Sequence, residues 1–72
     1  MVGRFLSGDN WMKLVGKDLV ILYDDPDREG KFLCKQAKLL LITPNEMFLK
    51  FEIREERKWF PINDVLLGDV LE

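Results

Sequence analysis

Histidine is absent, Cys34 is the single cysteine, and uncharged polar side chains are scarce: one Ser, one Thr, one Gln and three Asn in 72 residues. Each gap excludes something. A lone cysteine forms no internal disulfide and no cysteine-based zinc site. Without histidine, the usual general base and the commonest metal ligand are missing. No apolar run nears the roughly 20 residues that span a bilayer. No order of basic, apolar and small residues marks a secretory leader. These gaps predict a cytoplasmic protein that is not an enzyme, has no catalytic or metal-binding residues, uses no cofactor and enters no membrane.

Hydrophobic residues reach 47%, and charged residues 33% with a net charge of -2. Disordered chains are also charged but lack this apolar content. The length allows one domain. A domain this small buries only about 60% of its unfolded surface, and such chains often gain stability by oligomerising.

Residues 1–8 read as an N-terminal arm and residues 9–72 as a single folded unit. Ser7 or Asp9 caps a short helix from Asn10 to Val15, stopped by Gly16, with Trp11, Leu14 and Val15 on one face. Leu19 to Tyr23 is an apolar run that predicts a strand buried on both faces. Asp24 to Gly30 is an acidic turn. Lys31 to Ile42 predicts a second strand, long enough to bend at a bulge near Gln36. Thr43 to Glu46 is a turn. In the third strand Met47, Leu49, Phe51 and Ile53 alternate with Phe48, Lys50, Glu52 and Arg54. Arg54 to Arg57 is a tight hairpin turn, followed by a short strand over Lys58, Trp59 and Phe60. Pro61 ends that strand, Ile62 to Asp64 form a 3₁₀ turn, and Val65 to Leu71 is a fifth strand containing Gly68. Short strands joined by hairpins without a crossover helix predict a mainly all-β fold. The expected architecture is a small five-stranded, strongly bent antiparallel barrel with a short N-terminal helix and a 3₁₀ turn before the last strand.

This order resembles the small barrels of the Sm-like and Src-homology-3-like classes. Gly16-Lys17, followed by an apolar strand, an acidic turn and Gly30, is similar to the first half of an Sm domain. Trp59-Phe60-Pro61-Ile62-Asn63-Asp64-Val65 resembles the closing F-P-x-N-x-V segment of Src-homology-3 domains, and Leu22-Tyr23-Asp24 resembles their opening L-Y-D. The ligand residues of both classes are missing. Gln36 and Leu40 stand near the places of the RNA-binding Asp and Asn of Sm domains, and Ile62-Asn63-Asp64 replaces their later Arg-Gly. Asp25 and Asp64 stand where Src-homology-3 domains carry groove tyrosines. The resemblance implies the barrel and neither family's ligand.

The acidic turn Asp24, Asp25, Asp27 and Glu29 offers oxygen atoms to a hard cation but lacks the calcium-loop order, so it reads as a solvated connection. Cys34, between apolar neighbours, reads as a buried structural thiol. Two binding readings remain. A barrel interior takes about half of its strand positions, so the apolar content exceeds what the core needs. The surplus predicts an interface with a second copy or a protein partner, with Trp59, Val65, Leu66 and Leu67 as the oligomer edge. The alternative is single-stranded RNA or DNA on a face of Phe48, Lys50, Arg54, Lys58 and Trp59, where rings lie among cations. Glu52, Glu55, Glu56 and the net negative charge weaken phosphate attraction.

Overall fold

The structure, a computed structural model, describes residues 3–71. In chain order it contains α1 (Gly8–Met12), β1 (Asp18–Asp24), β2 (Phe32–Ile42), β3 (Glu46–Phe51), β4 (Arg57–Pro61), a 3₁₀ turn (Ile62–Asp64) and β5 (Val65–Val70). The five strands form one sheet in the order β4-β3-β2-β1-β5, and every ladder is antiparallel.

That order carries a geometric demand. β4 and β5 are consecutive in sequence but occupy opposite edges of the sheet. Laid flat, the two edges would stand about 19 Å apart at about 4.8 Å per strand. The link between them is a single 3₁₀ turn, which rises only about 2 Å per residue. The sheet must therefore coil. The rings of Tyr23 on β1 and Phe60 on β4 show that it does: their centroids lie 5.0 Å apart, although β2 and β3 separate those strands in the ladder. Among the described residues no ladder joins β4 to β5. The molecule is thus a coiled open sheet, where the sequence pattern predicted a closed barrel.

Coiling gives each strand an inside. Leu19 and Ile21, Ala37 and Leu39, Met47 and Leu49, and Val65 and Leu67 point into it at alternate positions, joined by Ile62 and by Trp11 from α1. The period-2 pattern of β3 predicts its buried pair directly. β1 is buried on one face only: Leu19 and Ile21 are enclosed, whereas Val20 and Leu22 are half-exposed. The bulge in β2 lies between Leu39 and Leu41, not near Gln36. Leu39 pairs with Leu49, whereas Leu41 pairs with Phe48. The inserted residue turns Leu41 outward, where it is 55% exposed.

Three further expectations change. The helix ends at Met12, not Val15. The Gly16 N–H donates to the Leu39 carbonyl at 2.7 Å, and Gly16 takes a φ of 88°, a left-handed conformation suited to glycine. These features tie the following turn to β2 and carry Val15 into solvent. β3 stops at Phe51, because the Phe51 N–H donates to the Glu56 carbonyl at 2.7 Å and closes the hairpin there. Glu52, Ile53 and Arg54 then belong to the turn, and Ile53 is 82% exposed. Cys34 is exposed, because it is even-numbered in a strand whose inward positions are Ala37 and Leu39. It pairs with Leu22 on the outer face.

The arm is tied to β5, and Leu6 packs against the core. Arg4 and Leu67 exchange backbone hydrogen bonds of 3.0 and 2.8 Å. Met1 and Val2, the start of the expected arm, and Glu72 lie outside the described residues. No described helix is long and apolar enough to cross a membrane.

Trp11 is the largest fully enclosed side chain, held by a helix too short to persist alone. Trp11→Ala is expected to cost about 3–5 kcal/mol, a large fraction of the stability of a domain this size. Urea denaturation followed by circular dichroism should show the midpoint falling sharply or the variant already unfolded. Trp11→Phe should lose much less, because it also removes an indole N–H that has no hydrogen-bond partner.

Candidate interaction surface

Directly paired residues of an antiparallel ladder share a face, so the register defines the outer surface. Leu41 pairs with Phe48, and Phe48 pairs with Trp59. These three form an apolar row across β2, β3 and β4. The rings of Phe48 and Trp59 stack at 4.8 Å and 29°, and Trp59 remains 46% exposed at the sheet edge. A second row lies beside it. Asp18 pairs with Lys38, Lys38 with Lys50, and Lys50 with Arg57. Among the described residues Lys38, Lys50 and Arg57 form no ion pair. Asp18 and Glu52 share a shallow hollow with Lys38 and Lys50 and moderate their charge. Asp18 Oδ1 is enclosed and has no hydrogen-bond partner among the described residues.

The structure divides the five residues expected to form one face. Phe48, Lys50 and Trp59 lie together. Lys58 does not join them: it pairs with Leu49, so it points to the inner side, where its Nζ meets Glu56 Oε1 at 3.0 Å. Arg54 lies in the turn after β3. Lys58 and Arg54 instead border a cleft of about 320 Å³ with Tyr23, Lys35 and Phe51. The rings of Tyr23 and Phe51 form part of its wall, 5.9 Å apart. Sequence reasoning missed Lys38, Arg57 and Leu41 on the outer face. Alternation sets Lys38 on the face opposite Ala37 and Leu39, and Arg57 on the face of Trp59; Leu41 joins them only through the β2 bulge, which the apolar pattern does not mark.

The two sheet edges differ. Phe51–Glu56 and Asn45–Ile62 are bonded pairs, through the Phe51 and Ile62 N–H groups. Bonded and non-bonded pairs alternate along an antiparallel ladder. Arg57, Trp59 and Pro61 therefore direct their backbone groups away from β3. Among the described residues nothing pairs with that edge. On β5, Arg4 takes both backbone groups of Leu67, and Asp69 Oδ1 accepts the Val70 N–H at 2.8 Å. The expected oligomer edge divides accordingly. Val65 and Leu67 are buried, Leu66 is half-buried, and only Trp59 presents an exposed side chain.

The acidic turn has an internal use. Asp25 Oδ1 accepts the Asp27 N–H at 2.9 Å, and Arg28 Nε stands 3.9 Å from Asp25 Oδ2. Among the described residues no three acidic or cysteine side chains gather as a metal site requires.

Burial raises the Tyr23 phenol above its ordinary pKa of about 10; Lys58 opposes this, while Glu56 and Asp25 add to it. Tyr23 is the single tyrosine, so absorbance at alkaline pH reads its ionisation alone. Lys58→Ala should move the titration further up, and Glu56→Gln should move it down. The folded-state pKa is raised, so this contribution to stability is complete below the unfolded value near 10. It is lost as pH rises through the folded value. An unshifted titration in Lys58→Ala would show that Lys58 does not act on the phenol.

Comparison with known proteins finds no matching family model, curated protein or solved structure.

Proposed function

We propose that the chain is a non-catalytic small β module that works by binding, and that it self-associates through the free edge and outer face of β4. The observation that carries this reading is the apolar row Leu41–Phe48–Trp59, which runs out to a strand edge whose backbone groups are unpaired among the described residues. An exposed edge beside exposed apolar side chains is a template for another chain. Burying Trp59 there would supply the aromatic anchor typical of interfaces. Kinship with the Sm-like and Src-homology-3-like small barrels is part of the proposal. Its supports are the strand order, the short helix before β1 and the 3₁₀ turn between β4 and β5. The ligand residues of both classes remain absent, so the module's partner is read from its own surface.

Light scattering over a concentration series tests self-association. The mass should rise above that of one chain by high micromolar concentration. Trp59→Lys should return it to one chain while circular dichroism stays unchanged. A wild-type protein that remains a single chain throughout overturns the reading.

A second reading has its own observation. Lys38, Lys50 and Arg57 form a cationic row beside the Phe48–Trp59 stack, the combination that holds single-stranded nucleic acid. Titration of labelled single-stranded RNA and DNA at two salt concentrations tests it. Binding on this face should weaken with salt, with a slope of about -0.7 per phosphate neutralised. Lys50→Glu with Arg57→Glu should abolish it, while Lys58→Glu, on the other side of the sheet, should have a smaller effect. Absence of binding at low salt removes this reading.

A further inference from the structure

We infer that two copies pair β4 against β4 in antiparallel fashion, about a twofold axis that passes beside Trp59. The inference rests on the self-association reading and specifies its geometry.

The free edge of β4 is self-complementary. Arg57, Trp59 and Pro61 point their backbone groups outward, as the bonded pairs of the β3–β4 ladder require. When Trp59 faces Trp59 of the second copy, each Trp59 N–H donates to the other's carbonyl. Each Arg57 then faces Pro61 of the second copy, and its N–H donates to that proline's carbonyl. Pro61 has no N–H to offer, so the pairing ends there.

Neighbouring registers are poorer. Sliding the copies to place Trp59 opposite Pro61 halves the four backbone bonds, because Pro61 has no N–H and Arg57 then faces a residue beyond β4. Sliding the copies to place Arg57 opposite Trp59 sets Lys58 directly against Lys58 in a close non-bonded pair, which like charges disfavour. Sliding further sets Arg57 against Arg57. The Trp59-centred register places no like charges opposite each other. It also joins the two apolar rows into one strip, running from Leu41 through Phe48 and Trp59 to the same residues in reverse.

Charge completes the fit. Glu46 pairs with Pro61 on β3 and is exposed. In the paired sheet the cationic row ending at Arg57 continues onto Pro61 and then Glu46 of the second copy. Arg57 and that Glu46 stand two strand spacings apart, about 10 Å between backbones, which two long side chains can bridge. Within one chain the two residues lie at opposite ends of the β3–β4 hairpin. The alternative of β4 pairing head-to-tail with β5, which would build a ring or filament, meets an edge already occupied by Arg4 and Asp69.

Sedimentation velocity of the full chain and its variants tests the geometry. The wild type should reach the mass of two chains and go no further. Arg57→Pro removes an N–H that the monomer does not use together with the side chain, and should abolish the dimer, whereas Arg57→Ala, which keeps the N–H, should only weaken it. Arg57→Glu should weaken it by about tenfold, and adding Glu46→Arg on the same chain should restore most of the loss. A strictly single chain at high micromolar concentration overturns both the self-association reading and this inference. A larger closed ring, a dimer indifferent to Arg57→Pro, or a charge reversal without rescue overturns the twofold pairing alone.

Discussion

The link between β4 and β5 governs the molecule. Three residues of 3₁₀ turn join strands that the sheet places at its opposite margins, so the sheet has to curl until those margins approach. Curling creates the interior that Leu19, Leu39, Leu49 and Val65 fill. It brings Tyr23 against Phe60 across two intervening strands. It also turns the opposite surface outward, so Phe48 and Trp59 stack on a convex face. Among the described residues the margins approach without joining, and each ends differently: Arg4 occupies one, and the other stays open.

Scarcity of polar side chains has a structural counterpart. The single serine caps the helix, where Ser7 Oγ accepts the Asn10 N–H at 3.4 Å. The single threonine closes the β2–β3 connection, where Thr43 Oγ1 accepts the Glu46 N–H at 3.0 Å. Asp25 and Asp69 satisfy backbone groups one or two residues along. These local bonds fix where elements begin and end and leave the interior to apolar packing. Trp11 Nε1, without a hydrogen-bond partner among the described residues, is the cost of a core with few hydrogen-bonding groups to share.

Much of the fold was legible because its signals are local. The 3₁₀ turn over Ile62–Asp64 follows Pro61, the last residue of β4. β3 reads from strict alternation up to Phe51, and Gly16 marks the left-handed position after the helix. The errors share one cause: a strand's period is two, so a slip of one residue exchanges its faces. The bulge at Leu40 turns Leu41 outward; alternation along β4 places Arg57, not Lys58, on the face of Trp59, and closure at Phe51 rather than Ile53 sets that pair against Lys50 and Phe48. The apolar neighbours of Cys34 predict burial, whereas the strand's parity decides its exposure. The candidate surface was therefore partly legible: Phe48, Lys50 and Trp59 were recognisable, alternation puts Lys38 and Arg57 on the outer face, and Leu41 required the bulge.

The ladders also differ in how the chain must find them. β1–β2, β2–β3 and β3–β4 join neighbours in sequence and can form hairpin by hairpin. The β1–β5 ladder joins Tyr23 to Val65 and closes more than half of the described chain into one loop. Its entropy cost has to be met before its contacts contribute. Docking of β5 is thus the natural bottleneck of folding. Until it occurs, β1 presents Leu19, Ile21 and a bare edge to the solvent, so the nascent chain is most prone to aggregation just before its last strand arrives.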